Sequence, residues 1–283
     1  MSKLSDQEFL LTDQYKDASN LDARIQLHRR FSTNKYGWLR WVFDQLTLPP
    51  VCRILGLGCG PADLWVENLD RIPAGWEITL TDFSPGMVEQ AQENLSDCGR
   101  PFAFGLVDAQ SIPYDDASFD AVGGFDAVGG FDAVIANHML YHVPDRAKAL
   151  AEMRRILRPG GRFYTSTVGE THTRELFEIV SRFDPEDKFQ HEVPSFTLEN
   201  GAPQLTPWFS EIALHRYEDD LEITEVKPLI AYIMSMVEAK SVFTDDKLGQ
   251  LVAYAKEQIA AHGAIHITKD SGMFTAIKST TAD

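Results

Sequence analysis

The 283-residue chain has little cysteine, a shortage of positive charge and no long apolar run. Its three cysteines, Cys52, Cys59 and Cys98, form neither a CxxC pair nor a metal-ligand spacing. A disulfide framework and a metal site are therefore not expected, and the thiols read as reduced. Lys and Arg number 26 against 42 Asp and Glu, which gives a net charge of −16. A nucleic-acid backbone needs clustered cations, so no nucleic-acid partner is expected. No stretch approaches the roughly 18 apolar residues of a membrane span, and MSKLSDQEF lacks a signal core. The expectation is a cytoplasmic chain with no membrane partner.

One further absence narrows the ligand. Residues 54–65 read ILGLGCGPADLW, and residues 78–82 read ITLTD. This is an apolar strand, a glycine-rich turn, a helix start and a second strand ending in an acid. Asp82 follows Gly60 by 22 residues, the separation at which a carboxylate reaches ribose hydroxyls. Gly58 and Gly60 let the backbone approach a ligand where a Cβ would collide. A dinucleotide fingerprint requires a third glycine five residues after Gly58. Asp63 stands there instead, and its carboxylate would repel a pyrophosphate, so a nicotinamide oxidoreductase is disfavoured.

Strands are expected at 52–58, 77–82, 102–108, 131–138 and 162–168, with helices at 62–70, 85–97, 145–157 and 170–183. Alternation of this kind predicts a parallel sheet. Leu150, Met153, Ile156 and Leu157 share a helix face, and Pro159-Gly160-Gly161 ends that helix. Further on, SFTLENGAPQLTPWF reads as a loop with a short helix, and ALHRYEDDLEIT alternates as a strand. Residues 226–262 read as two helices, and GMFTAIKS as a closing strand. Three parts are expected: a helical segment 1–48, a nucleotide-binding core 49–184, and residues 185–283 completing the sheet.

Five motifs, ILGLGCG, LTDFSPGMVEQA, VDAQSIPYDDASFDAV, ANHMLYHVPD and LRPGGRFYTST, occur in an order that resembles the class I S-adenosylmethionine (SAM)-dependent methyltransferases of the UbiE-like group. The resemblance implies a Rossmann-like, doubly wound α/β fold. Its seven-stranded sheet is mostly parallel with an antiparallel last strand, and a helical cap covers the pocket. It implies SAM as cofactor, a small-molecule methyl acceptor, and a monomer or homodimer. Gly58, Cys59 and Gly60 then form the cofactor turn, and Asp82 takes the ribose. Phe83, Met87, Asp108 and Ala109 meet the adenine, and Asn137 and Tyr15 face the methionine tail or the acceptor. Gly56 departs from the family, which usually has an acid there to hold the methionine ammonium. If a base is needed, His138, His142 and His28 are the candidates, because imidazole titrates near neutrality. Each also fits a packed or capping role, as Phe83 and Met87 fit a core role and Cys59 a packing role. Two readings stand: a methyltransferase, and a SAM-binding protein of the same fold without transfer.

FDAVGG occurs at 119–124 and again at 125–130, and FDAV follows at 131–134. Only the third copy continues into IANHMLYHV, so only it is expected to form the strand. The first two copies read as a tandem insertion at the edge of the sheet away from the ligand, where added loop length costs little entropy.

Overall fold

The computed structural model describes residues 6–7, 19–116, 130–184, 193–236 and 242–280. Tyr15 and the first two FDAVGG copies, apart from Gly130, lie outside the described residues, as does the expected location of the insertion.

In chain order, helices α1 (Ser19–Phe31) and α2 (Trp38–Asp44) precede strand β1 (Val51–Leu57). The glycine turn leads into a one-turn helix α3 (Asp63–Val66), then β2 (Gly75–Asp82), α4 (Pro85–Leu95), β3 (Ala103–Leu106) and β4 (Phe131–Asn137). Next come α5 (Arg146–Ile156), β5 (Leu157–Val168), α6 (Arg174–Ser181), α7 (Gly201–Leu205) and β6 (Ser210–Ile223). The chain ends with α8 (Val226–Met234), α9 (Asp245–His262) and β7 (Ile265–Ile277).

The strands form one seven-stranded sheet in the order β3-β2-β1-β4-β5-β7-β6. β1 to β5 pair in parallel, and β7 runs antiparallel to both neighbours. The expected doubly wound sheet with an antiparallel last strand is thus present. The order reverses between β1 and β4. In such sheets the ligand crevice opens at this switch point, beyond the carboxyl ends of the strands.

Helix starts follow from local chemistry. Ser84 caps α4 by accepting the Met87 N–H at 3.4 Å, and Pro85 occupies its first turn, where its missing N–H costs nothing. Asp145 caps α5 through the Lys148 N–H at 3.0 Å. The predicted stripe Leu150, Met153, Ile156 and Leu157 is buried against Phe163 and Phe274 on one sheet face. α2, α3 and α4 cover the other face through Val42, Trp65 and Ala91, over Ile54, Ile78 and Ile135.

Two expectations are corrected. The helix expected at 62–70 breaks after Val66 and resumes as a 3-10 turn at Leu69–Arg71. Buried Asn68 is the cause: its side-chain amide donates to Leu64 O at 2.8 Å and to Leu39 O at 3.2 Å. β5 begins at Leu157 rather than at 162, directly after the helix. The Pro-Gly-Gly segment is absorbed as a bulge, because pairing jumps from Phe131↔Leu157 to Ala133↔Arg162.

The third FDAV copy forms β4, as expected. Asp132 accepts the Arg53 N–H at 2.6 Å, and Ile135 and Ala136 are buried where the earlier copies have Gly-Gly.

The β6–β7 ladder continues to Ile223↔Ile265, beyond the last β5 pair at Val168↔Ser271. This two-stranded overhang carries a separate apolar cluster. Leu27 and Phe31 of α1, Leu229 and Ile233 of α8, and Leu251 of α9 pack on Leu221 and Ile267. Among the described residues, no helix is long and apolar enough to cross a membrane.

Candidate active site

The glycine turn sits at the carboxyl end of β1. Gly58 has φ +63, and a Cβ there would lie 2.8 Å from the Met139 Cβ. Both the backbone sign and the space demand glycine. Gly60 has φ +54, and Ala62, at the family's third glycine position, adopts φ 67 without being glycine. At Gly56 a Cβ would meet the Leu80 Cδ2 at 3.0 Å and no other side chain within 4 Å, so a residue there needs only Leu80 to yield.

Asp82 ties the turn to the next helix. One carboxylate oxygen accepts the Gly60 N–H at 2.9 Å and the other accepts the Ser84 N–H at 2.9 Å. With the Phe83 N–H also directed at the carboxylate, one of its roughly four lone-pair sites is left for a ligand. Burial raises the Asp82 pKa, and the N–H groups of Ser84, Gly60 and Phe83 only partly offset this. Phe83 is half-buried beside it, and Met87 is buried in the first turns of α4. Asp108 follows β3 and closes a turn on Gln110, whose N–H donates to it at 2.9 Å, with Ala109 buried next to it. Cys59 donates its N–H to Thr81 O at 2.9 Å, and burial drives its thiol far above the ordinary range. Cys52 is pushed up to about 12, again chiefly by burial. Neither is a reactive thiolate.

Asn137 and His138 end β4 across the switch point. The Asn137 Oδ1 is buried with no hydrogen-bond partner among the described residues. His138 has φ 50, an uncommon conformation for a side chain of this size, and its N–H donates to Ser166 O at 3.0 Å. Its ring lies 5.4 Å from Trp38, which stacks on Trp41 at 5.2 Å. Burial lowers the His138 pKa to about 4, with Lys269 and His142 adding to the shift. His142, in the 3-10 turn Leu140–His142, packs against Tyr141 at 4.5 Å.

Pairing aligns a polar wall on the sheet face beneath α2. Asn137 pairs with Ser166, Ser166 with Met273, Ser271 with Tyr217, and Lys269 with Asp219. Alternate residues share a face, so Asn137, Ser166, Ser271, Lys269, Tyr217 and Asp219 point the same way. The Lys269 ammonium and Asp219 carboxylate form a buried ion pair, 7% and 0% exposed. Asp219 also takes Ser32 Oγ, Thr33 Oγ1 at 3.1 Å and the Asn34 N–H at 2.9 Å. The chain between α1 and α2 is thereby pinned to β6.

His28 and His138 thus come together near Lys269, while His142 stands behind His138. Sequence reasoning missed His172, Lys269 and Asp219. A signal existed for Asp219: within HRYEDDLEI, alternation places it on the same side as Tyr217, Leu221 and Ile223, an acid on an otherwise apolar face.

A sheet of this order, with a glycine turn at its switch point and an acid closing β2, defines a Rossmann-like nucleotide-binding fold. The family model described as "Methyltransferase domain" matches residues 50–200, more than half of the chain, and the chain belongs to that family. Among curated relatives, the ubiquinone/menaquinone biosynthesis C-methyltransferase UbiE of Citrifermentans bemidjiense is 30% identical over 128 residues, 44% of this chain and 49% of that protein. The protein of the same name from Geobacter sulfurreducens is 24% identical over 237 residues, covering 81% of this chain and 78% of its own. The chain spans about half the length of the first of these relatives. Among solved structures, Haemonchus contortus phosphoethanolamine N-methyltransferase 2 in complex with S-adenosyl-L-methionine is similar in fold, with TM-score 0.56 and 18% identity. That match covers 99% of this chain and 60% of the other.

Proposed function

We propose that this chain is a SAM-dependent methyltransferase acting on a small-molecule acceptor. The observation that carries the reading is the Asp82–Gly60 tie after β1, together with the unpartnered, buried Asn137 Oδ1 at the end of β4, the strand across the switch point. The residues fit the cofactor. Gly60 presents bare backbone, Asp82 keeps a lone pair for a ribose hydroxyl, and Asn137 Oδ1 suits the methionine ammonium. Phe83, Met87, Asp108 and Ala109 serve the adenine. SAM supplies a methyl group already activated on a sulfonium, so the chain need only bind, align and shield the partners.

In this reading α1, α2 and α8 form the cap, and Trp38 and Trp41 exclude water from the transfer path. His138, directly after β4, is the candidate base, with His28 and His142 close to it. The acidic chain and its reduced thiols suit a cytoplasmic enzyme working as a monomer or homodimer.

Gly56 favours a second reading, a SAM-binding protein with weak or no transfer, because the usual ammonium acceptor is missing. Calorimetric titration with S-adenosylhomocysteine (SAH) tests the cofactor site, and Asp82→Ala is expected to weaken binding at least tenfold. Labelled SAM incubated with a metabolite pool tests transfer. Tight SAH binding without label transfer selects the second reading, and no binding rejects both.

A further inference from the structure

Beneath α1 and α2, three imidazoles gather around one ammonium. The His28 and His172 rings lie 6.3 Å apart with their planes at 24°. The Tyr232 ring meets His28 edge-on at 5.9 Å. Burial first, and then the Lys269 charge, keeps His28, His138 and His172 unprotonated.

Hydrogen bonding fixes what this wall offers. The His172 Nδ1 accepts the Asp270 N–H at 3.1 Å, so the neutral ring carries its proton on Nε2 and presents a donor there. The His28 Nδ1 is buried and has no hydrogen-bond partner among the described residues. Neither charged neighbour is free to serve as a counter-ion. Lys269 is neutralised by Asp219 and donates to Ser32 Oγ at 3.2 Å. Asp219 is occupied by Lys269, Ser32, Thr33 and Asn34. The wall is polar and offers no unpaired charge. Because Lys269 and Asp219 cancel each other, a charged group of either sign would be buried without a free counter-ion.

We propose that His28 and His172 form the acceptor subsite of the methyltransferase and that it takes an uncharged hydroxyl group. The His172 Nε2–H donates to the hydroxyl oxygen, and the His28 Nδ1 accepts the hydroxyl proton. A hydroxyl both donates and accepts at one atom, which matches a fixed donor on one ring and an open ring nitrogen on a second ring 6.3 Å away. This rests on the methyltransferase reading, since it names the substrate class of the same site.

The test uses the full chain saturated with SAH, with labelled histidines followed by NMR. The probes are a matched pair, cyclohexylmethanol and cyclohexylmethylamine. The alcohol is expected to shift the His28 and His172 ring nitrogens and to bind at least about tenfold more tightly than the amine. His172→Asn retains an acceptor for the Asp270 N–H, but its shorter amide cannot place an N–H where the Nε2–H lies. It should weaken the alcohol about tenfold and leave SAH affinity unchanged. His28→Phe keeps the ring against Tyr232 and should weaken the alcohol similarly, which covers the case in which His172→Asn misfolds. An alcohol that leaves both rings unshifted, or an amine that binds equally well, overturns the subsite while SAH still binds. Loss of SAH binding in the parent chain instead overturns the cofactor reading beneath it.

Discussion

Cutting the buried Lys269–Asp219 pair from one side should cost far more than removing it whole. With both side chains under a tenth exposed, solvent screening gives no relief. Lys269→Met leaves the Asp219 carboxylate with hydroxyl and N–H donors but no cation. Breaking a buried pair in this way typically costs about 3–5 kcal/mol. At about 4 kcal/mol the unfolding equilibrium moves about a thousandfold, a large share of the roughly 5–15 kcal/mol that holds a typical domain. The double change Lys269→Met with Asp219→Leu removes both charges and should recover about half of that loss or more. Urea denaturation of the parent, both single variants and the double variant closes the cycle. Amide exchange gives a local readout. Thr33 donates its N–H to Asp220 O at 2.8 Å, and Asp220 returns its own to Thr33 Oγ1 at 3.0 Å. These amides should lose protection first, because the Asp219 cluster holds that segment down. A single-variant cost below about 1 kcal/mol, or a double variant no better than the singles, would refute the reasoning.

Acid should destabilise the chain early. An unfolded histidine takes its proton near pH 6.5, whereas His138 resists until about pH 4 and His172 until about pH 3. Stability therefore falls as pH drops through that window, by about 1.6 kcal/mol per histidine between pH 6.5 and 5, and His138→Asn should flatten the slope of urea midpoint against pH. Asp219 behaves differently. Burial pushes its pKa up, but the Asn34 N–H, Lys269 and Ser32 outweigh this and hold it below the usual carboxylate range. Its contribution persists above about pH 4 and disappears only as pH falls through the depressed value, which a Lys269→Met titration in strong acid would expose. Gly56→Glu should raise SAM affinity about 10–100-fold by restoring an ammonium acceptor, and equal affinities by calorimetry would sink that account. Gly58→Ala should lose about 2 kcal/mol or more of stability and most SAH binding, since its methyl collides with Met139 in a left-handed backbone.

The glycine turn was legible because its signals are local. Gly58, Gly60 and Asp82 mark the turn and its tie to β2 within 25 residues, and the Leu150–Leu157 stripe names its own face. The polar wall of His28, His172, Lys269 and Asp219 was not. Lys269 meets Asp219 only through the β6–β7 register, and His172 meets His28 only after α1 folds back over that ribbon. The early start of β5 was hidden for a related reason. Pro159-Gly160-Gly161 does stop a helix, but only the pairing with β4 shows that the same residues already belong to a strand. Asn68 broke its helix through a bond to Leu39, 29 residues upstream.

The β6–β7 overhang also makes the molecule modular. α8 and α9 both fall in sequence between its two strands, and the ladder pairs the residues at either end of that stretch, Ile223 and Ile265. The glycine turn and Asp82 lie on the other side of the sheet order and share no strand with it. A different helical pair could be spliced between Ile223 and Ile265 without redrawing the nucleotide half. Such a graft point lets one binding chassis be refitted for new chemistry by exchanging a single contiguous cassette.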